Sequence, residues 1–154
     1  MRFTHRDKEY IRVLFSLNSA RMPVGPAQLA QNIGVSKECA YQKMRRLSCF
    51  GYGDYHLNKG FQLNRKAVHM VEEDAKHHHI LEHFLQKTLH MSHHQACKEA
   101  TKMDASISLE LYDRLIDKFT VPTSSCCGFD FSQKITPKKI KQCPWFLQIT
   151  PSKK

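Results

Sequence analysis

The chain has 154 residues, with 24 Lys plus Arg, 14 Asp plus Glu and 10 His, for a formal charge of +10. That length suits one or two small domains, and 41% hydrophobic residues supply a core, which excludes a wholly disordered chain. No apolar run approaches the roughly 20 residues of a membrane span. The start, Met1-Arg2-Phe3-Thr4-His5-Arg6, lacks the apolar stretch of a secretion signal. Neither a membrane protein nor a secreted one is expected. Six cysteines (Cys39, Cys49, Cys97, Cys126, Cys127, Cys143) are too sparse for a disulfide scaffold. They read as thiols or ligands in a reducing, cytoplasmic setting.

The charge is uneven along the chain. Residues 1–66 carry net +8, residues 67–119 net −3 and residues 120–154 net +5, and eight of the ten histidines lie in the acidic middle. A basic amino-terminal third fits a polyanion partner, because neutralising phosphates releases counterions whatever the base sequence. The acidic, His-rich middle suits metal chemistry better. Two electrostatic characters imply two jobs.

In chain order, Tyr10, Val13, Leu14 and Leu17 recur at i, i+3, i+4 and i+7, the stripe of a helix near 7–18 that Asn18-Ser19 and Pro23 end. Pro26 suits a first helical position, and Leu29, Ala30 and Ile33 form a short stripe before Gly34. Ser36 can cap a third helix that ends near Gly51, with Val35 and Ala40 placed as a staple. Ala40, Met44 and Leu47 then face inward, leaving Lys37, Glu38, Tyr41, Gln42 and Arg45 toward solvent. Tyr52-Gly53-Asp54-Tyr55 and Gly60-Phe61-Gln62-Leu63 read as two strands joined through His56–Lys59. Three helices and a hairpin make a winged helix-turn-helix, whose third helix can enter a major groove. Ser36, Glu38, Cys39 and Gln42 are the candidates for base edges, since Gln can pair bidentately with adenine. Lys37, Lys43, Arg45, Arg46 and Lys59 are placed for phosphates.

Asn64 can cap a long helix over about 65–89, along one broad side of which lie Val68, Val71, Ala75, His78, Leu81, Glu82 and Leu85. Ser92-His93-His94-Gln95 fits a capping box for a helix over about 93–104. Ser108 can begin another, with Leu111, Tyr112, Leu115, Ile116 and Phe119 as its apolar face. Three amphipathic helices in about 55 residues cannot bury all these faces alone. A helical dimer interface is the outlet, and a symmetric reader of double-stranded DNA needs a dimer to span two half-sites. His78 and Glu82 share a helix face and can grip one ion, as can His79/His83 and His93/Cys97 at the same spacing. Imidazole, thiolate and carboxylate together suit a divalent transition ion such as zinc, iron or manganese. The bland alternative is an exposed His-rich surface that binds nothing.

Over residues 8–119 the chain resembles the metal-dependent transcriptional repressors of the diphtheria-toxin-repressor and manganese-repressor family. The resemblance is collinear. It is carried by Glu9–Leu17, Leu29–Ser36, Leu63–Ala67, His78–Leu85 and Glu99–Ser108. It implies a mostly α fold: a winged helix-turn-helix domain at 1–65, an α-helical metal-binding and dimerisation domain at 66–120, and a basic, Cys-containing tail at 121–154. By position it places metal ligands at Glu9, His78, Glu82, Cys97 and Asp104, with an ion bridging Glu9 to the second domain and so setting the spacing of two recognition helices. Thr101 and Ala105 replace family ligands, so the usual activating site is incomplete while His78, Glu82 and Cys97 survive. Arg12 stands where the manganese branch has a carboxylate.

In the tail, Cys126-Cys127 and Cys143 either complete a soft metal site or belong to a flexible extension, and the lack of zinc-ribbon spacing favours the extension. Lys134, Lys138, Lys139 and Lys141 could add nonspecific phosphate contacts. The expected function is a homodimeric, metal-responsive repressor of metal-homeostasis genes. The alternative is a metal-independent regulator of the same fold, or one sensing thiol oxidation at Cys39 or Cys97. An enzyme is not expected, since the chain has no nucleophile–base constellation, Gly-rich phosphate loop or paired catalytic carboxylates.

Overall fold

The structure, a computed structural model, describes residues 1–120, 130, 133–143 and 146–149. The chain divides into two units: Met1–Val71 with Ile149, and Glu72–Gln148.

In the first unit, helix α1 (His5–Ser16) starts two residues before its expected position because Thr4 and Asp7 form a capping box. The Thr4 hydroxyl accepts from the Asp7 amide, and the Asp7 carboxylate accepts from the Thr4 amide at 2.8 Å. Two amides that would otherwise be orphaned at the helix start are thereby satisfied. Helix α2 (Pro26–Ile33) begins on Pro26 and closes on Gly34, whose φ of 76° is the left-handed conformation a helix stop requires. Helix α3 (Lys37–Cys49) is capped by Ser36, which accepts from the Cys39 amide at 3.1 Å. Strands β1 (Gly53–His56) and β2 (Gly60–Leu63) pair antiparallel in the register Gly53↔Leu63 and Tyr55↔Phe61. A link that periodicity does not reveal ties this wing to the chain before α2: Val24 and Phe61 exchange both backbone hydrogen bonds at 2.9 Å. Tyr10, Ile11, Leu14, Leu29, Ala40, Met44, Leu47 and Phe61 form the buried core of this unit.

Helix α4 (Arg65–Leu89) starts where the Asn64 side chain accepts from the Ala67 amide. In the second unit follow α5 (His93–Met103), with the Ser92/Gln95 capping box in place, α6 (Leu109–Lys118), capped by Ser108, and α7 (Pro137–Ile140). Ile80, Leu81, Leu85, Ala96, Ala100, Tyr112 and Leu115 build the core. The apolar face expected on α6 divides. Tyr112 and Leu115 are buried and Phe119 half-buried, whereas Leu111 and Ile116 are exposed at 43% and 37%, as is Leu109 outside that face at 69%. The fold is thus mostly α, a winged helix-turn-helix followed by a helical domain, as the sequence predicts.

The tail differs from the extension expected of it. Among its described residues Ile135, Ile140, Cys143 and Phe146 are buried, because the segment carries enough apolar side chains to dock. Cys126 and Cys127 lie outside the described residues.

Candidate metal centre and nucleic-acid interface

The exposed start of α3 holds Ser36, Lys37, Glu38, Cys39 and Gln42, with Arg45 one turn on and Lys59 at the tip of the wing. Two of these side chains have local work. Ser36 uses an acceptor on its helix cap, and Gln42 donates one of its two amide hydrogens to Glu38 at 2.7 Å. Tyr41 is only half-exposed because its ring packs edge-on against Tyr55 of β1, bracing helix to wing.

Lys43 and Arg46 depart from the phosphate role expected of them. Arg46 donates from Nε and Nη2 to the two oxygens of Asp7 at 2.9 and 3.0 Å, and Lys43 lies 3.4 Å from the same carboxylate. Asp7 is fully buried, so its charge needs these partners. Burial alone would raise its pKa. The hydrogen bonds from Arg46 and Thr4 and the charge of Lys43 outweigh that and hold it at about 2 instead of 3.8. This cluster fixes α3 against the start of α1. Glu9, the expected first-helix ligand, is buried in the same unit, 3.2 Å from Arg6 and 3.6 Å from His5.

In the acidic middle His69, His90, His93 and His94 are exposed, but His78, His79 and Glu82 are all buried. One turn of α4 feeds two clusters, both built by the second unit alone. In the first, His78 Nε2 lies 3.4 Å from Cys97 Sγ and 3.8 Å from Cys143 Sγ, and the two sulfurs are 3.5 Å apart. The opposite ring nitrogen, Nδ1, meets Asp104 at 2.9 Å, and the Tyr112 hydroxyl donates to the other oxygen of Asp104 at 3.1 Å. Burial would lower the His78 pKa. Hydrogen bonds to Asp104 and Cys143, with their charges, prevail and raise it to about 10.

In the second cluster Glu82 lies 2.8 Å from His79 Nδ1 and 3.0 Å from His93 Nδ1, one oxygen to each. Each of His78, His79 and Glu82 also offers a ligand atom within 4.8 Å of the others.

The expected ligands are therefore sorted differently from their order in the chain. His78 and Cys97 come together directly. Asp104 stands behind His78, and Glu82 turns to two other histidines. The His83 ring packs edge-on toward Phe119. Thr101 donates to the Cys97 carbonyl at 3.0 Å, and Ala105 is exposed with no donor to offer. His79, His93 and Cys143 are absent from the expected ligand set. The i, i+4 pairs His79/His83 and His93/Cys97 are the local hint of the first two, and nothing in the spacing points to the third.

A family model described as iron dependent repressor, N-terminal DNA binding domain, matches residues 2–61, and one described as iron dependent repressor, metal binding and dimerisation domain, matches residues 66–129. The chain belongs to this repressor family. An uncharacterized HTH-type transcriptional regulator of Methanocaldococcus jannaschii is 22% identical over 104 residues, which is 68% of this chain and 83% of that one. Among solved structures, the hypothetical protein SSo2273 of Sulfolobus solfataricus is 16% identical with a TM-score of 0.74, covering 84% of this chain and 98% of that one. ScaR with bound Zn2+ is 20% identical with a TM-score of 0.71, covering 83% and 60%. A manganese-dependent transcriptional repressor in complex with manganese is 24% identical with a TM-score of 0.62, covering 77% and 55%. At these identities the likeness to solved structures is one of fold, and the chain spans little more than half the length of the last two. The family is metal-dependent, and the donor chemistry here fits a divalent transition ion: a buried imidazole and two buried sulfurs converge, and a carboxylate orients the ring from behind. No described helix is long and apolar enough to cross a membrane.

Proposed function

We propose that the chain is a homodimeric, metal-responsive repressor that binds an operator in double-stranded DNA and controls genes of metal homeostasis from the cytoplasm. The observation that carries this reading is one chain bearing both family modules, with the start of α3 open to solvent in one and buried metal-competent clusters in the other. Lys37, Arg45 and Lys59 bind phosphates and set the register on the duplex. Glu38, Cys39 and Gln42 face the base edges, and Ser36 caps the helix that presents them. Arg46 and Lys43 act one layer behind by holding α3 through Asp7. Leu109, Leu111 and Ile116 supply an apolar patch suited to a second copy.

His78 and Cys97 would hold the ion, with Asp104 as an outer support and Glu82 in the neighbouring cluster. A bound divalent ion supplies Lewis-acid cross-linking of its ligands. The chain's own part is to bring α4 and α5 side chains together in the dry interior and to fix the His78 ring through Asp104 and Tyr112. Such coupling shifts a conformational equilibrium only by the ion's differential affinity for two states, typically about 1–3 kcal/mol. The metal-independent alternative is disfavoured because the family match extends across the metal-binding domain. Gel shifts with purified protein and its own promoter, with and without chelator, test the proposal. Retardation that chelator abolishes is expected, and binding indifferent to chelator refutes metal control.

A further inference from the structure

We propose that Cys143, from the C-terminal segment, is a metal ligand that completes with Cys97 and His78 a thiolate-rich site for a borderline-soft divalent ion of the zinc type. The inference rests on the metal-responsive reading above and adds to it a ligand, a metal class and a job for the segment carrying α7. Four observations lead here.

The three donor atoms form a nearly equilateral triangle with sides of 3.4, 3.5 and 3.8 Å. In a tetrahedral zinc site, with bonds of about 2.3 Å to sulfur and about 2.05 Å to nitrogen, donors stand about 3.8 Å apart for two sulfurs and about 3.6 Å for sulfur and nitrogen. The triangle therefore has the size of one face of that tetrahedron without rearrangement.

All three residues are buried, at 0%, 1% and 0% exposure for His78, Cys97 and Cys143. A buried thiol by itself is ordinary packing, since free Cys behaves as a small hydrophobe. Two thiols aimed at the nitrogen of one imidazole are not, because neutral thiols are weak partners for a polar atom removed from water.

The His78 ring is held from its far side by Asp104, which Tyr112 holds in turn. This is the carboxylate–histidine arrangement that orients a metal-bound imidazole. Finally, the segment brings its own cover. The Phe146 ring lies 5.5 Å from the His78 ring, and Ile140 is buried beside the chain leading to Cys143.

Thiolates select zinc-type ions over manganese, which prefers oxygen donors. The ion thus ties residues of the C-terminal segment to α4 and α5, so that loading the site strengthens the docking of the segment.

The experiment uses the full, reduced chain with Co2+ and Zn2+ as probes. Cobalt is expected to give sulfur-to-cobalt charge-transfer absorption and the intense visible bands of a tetrahedral ion, which zinc then displaces. Cys143→Ser should lose about half of the charge-transfer intensity and bind at least about tenfold more weakly. An unchanged spectrum and affinity overturn the proposal. Because that variant can fail to fold, the wild-type chain is also alkylated with and without Zn2+, for long enough to label the buried thiols of the metal-free protein. Zinc should protect Cys97 and Cys143 while the exposed Cys39 and Cys49 label equally in both samples. Labelling of Cys143 that zinc leaves unchanged overturns the proposal. Chelator-sensitive operator binding beside an unprotected Cys143 would sink this ligand and leave the repressor standing. Protection of Cys143 beside metal-indifferent DNA binding would do the reverse.

Discussion

Replacing Asp7 with Asn tests whether a buried carboxylate positions the recognition helix. Asp7 serves three partners: it caps α1 through Thr4, accepts from Arg46 at 2.9 and 3.0 Å, and neutralises Lys43. Its pKa falls from 3.8 to about 2 on folding, and at about 1.4 kcal/mol per pH unit this is about 2 kcal/mol of stability. A depressed folded-state pKa means that the contribution is complete above pH 3.8 and is lost as pH falls toward 2. Asn keeps the shape and part of the cap but loses the charge, leaving Arg46 and Lys43 without a counter-ion. Urea unfolding at pH 7 should therefore show a loss of about 2 kcal/mol. Between pH 4 and 2 the wild type should lose stability more steeply than the variant, which lacks this titration. A variant within about 0.5 kcal/mol of wild type at pH 7, or parallel pH profiles, would refute the reasoning. A parallel measurement of operator affinity separates positioning from stability: in the stably folded variant, affinity should still drop because α3 has lost its tether to α1.

Three further outcomes are expected. Gly60 sits at φ 115°, and a Cβ there would meet the Val24 carbonyl, so Gly60→Ala should cost at least about 2 kcal/mol in thermal unfolding and weaken DNA binding through the wing. Lys37→Ala should weaken binding to all sequences alike and reduce the slope of log K against log salt by about 0.9, because it removes one phosphate contact. Leu111→Glu, on the exposed side of α6, should leave the helical content of the protomer intact and shift sedimentation from dimer to monomer; an unchanged dimer would place the interface elsewhere.

Much of this architecture is written locally. Ser36, Ser92 and Ser108 each cap the helix expected of them, and Gly34 closes α2, because a cap depends on residues within one turn. The start of α1 was less legible, since its capping box uses Asp at the position where Glu or Gln is the usual signal. On α3 Lys43 and Arg46 read from the sequence as placed for phosphates, yet both reach Asp7, more than 35 residues earlier in the chain. Periodicity tells which side of a helix is apolar, not which long polar side chain folds back to a buried charge.

The metal clusters divide in the same way. The placement of His78 on a shared face with Glu82 follows from helical spacing, and burial of that face follows from its apolar neighbours. Local order in the chain thus determined the elements, their ends and the presence of imidazole and thiol chemistry, since each depends on residues a few positions apart. Packing alone decided that Glu82 turns to His79 and His93, that Asp104 supports a ring, and that Cys143 arrives beside Cys97 from 46 residues away. Donors converge at such distances only after hydrophobic burial has chosen which helix faces and which tail segment share one interior, and no periodicity records that choice.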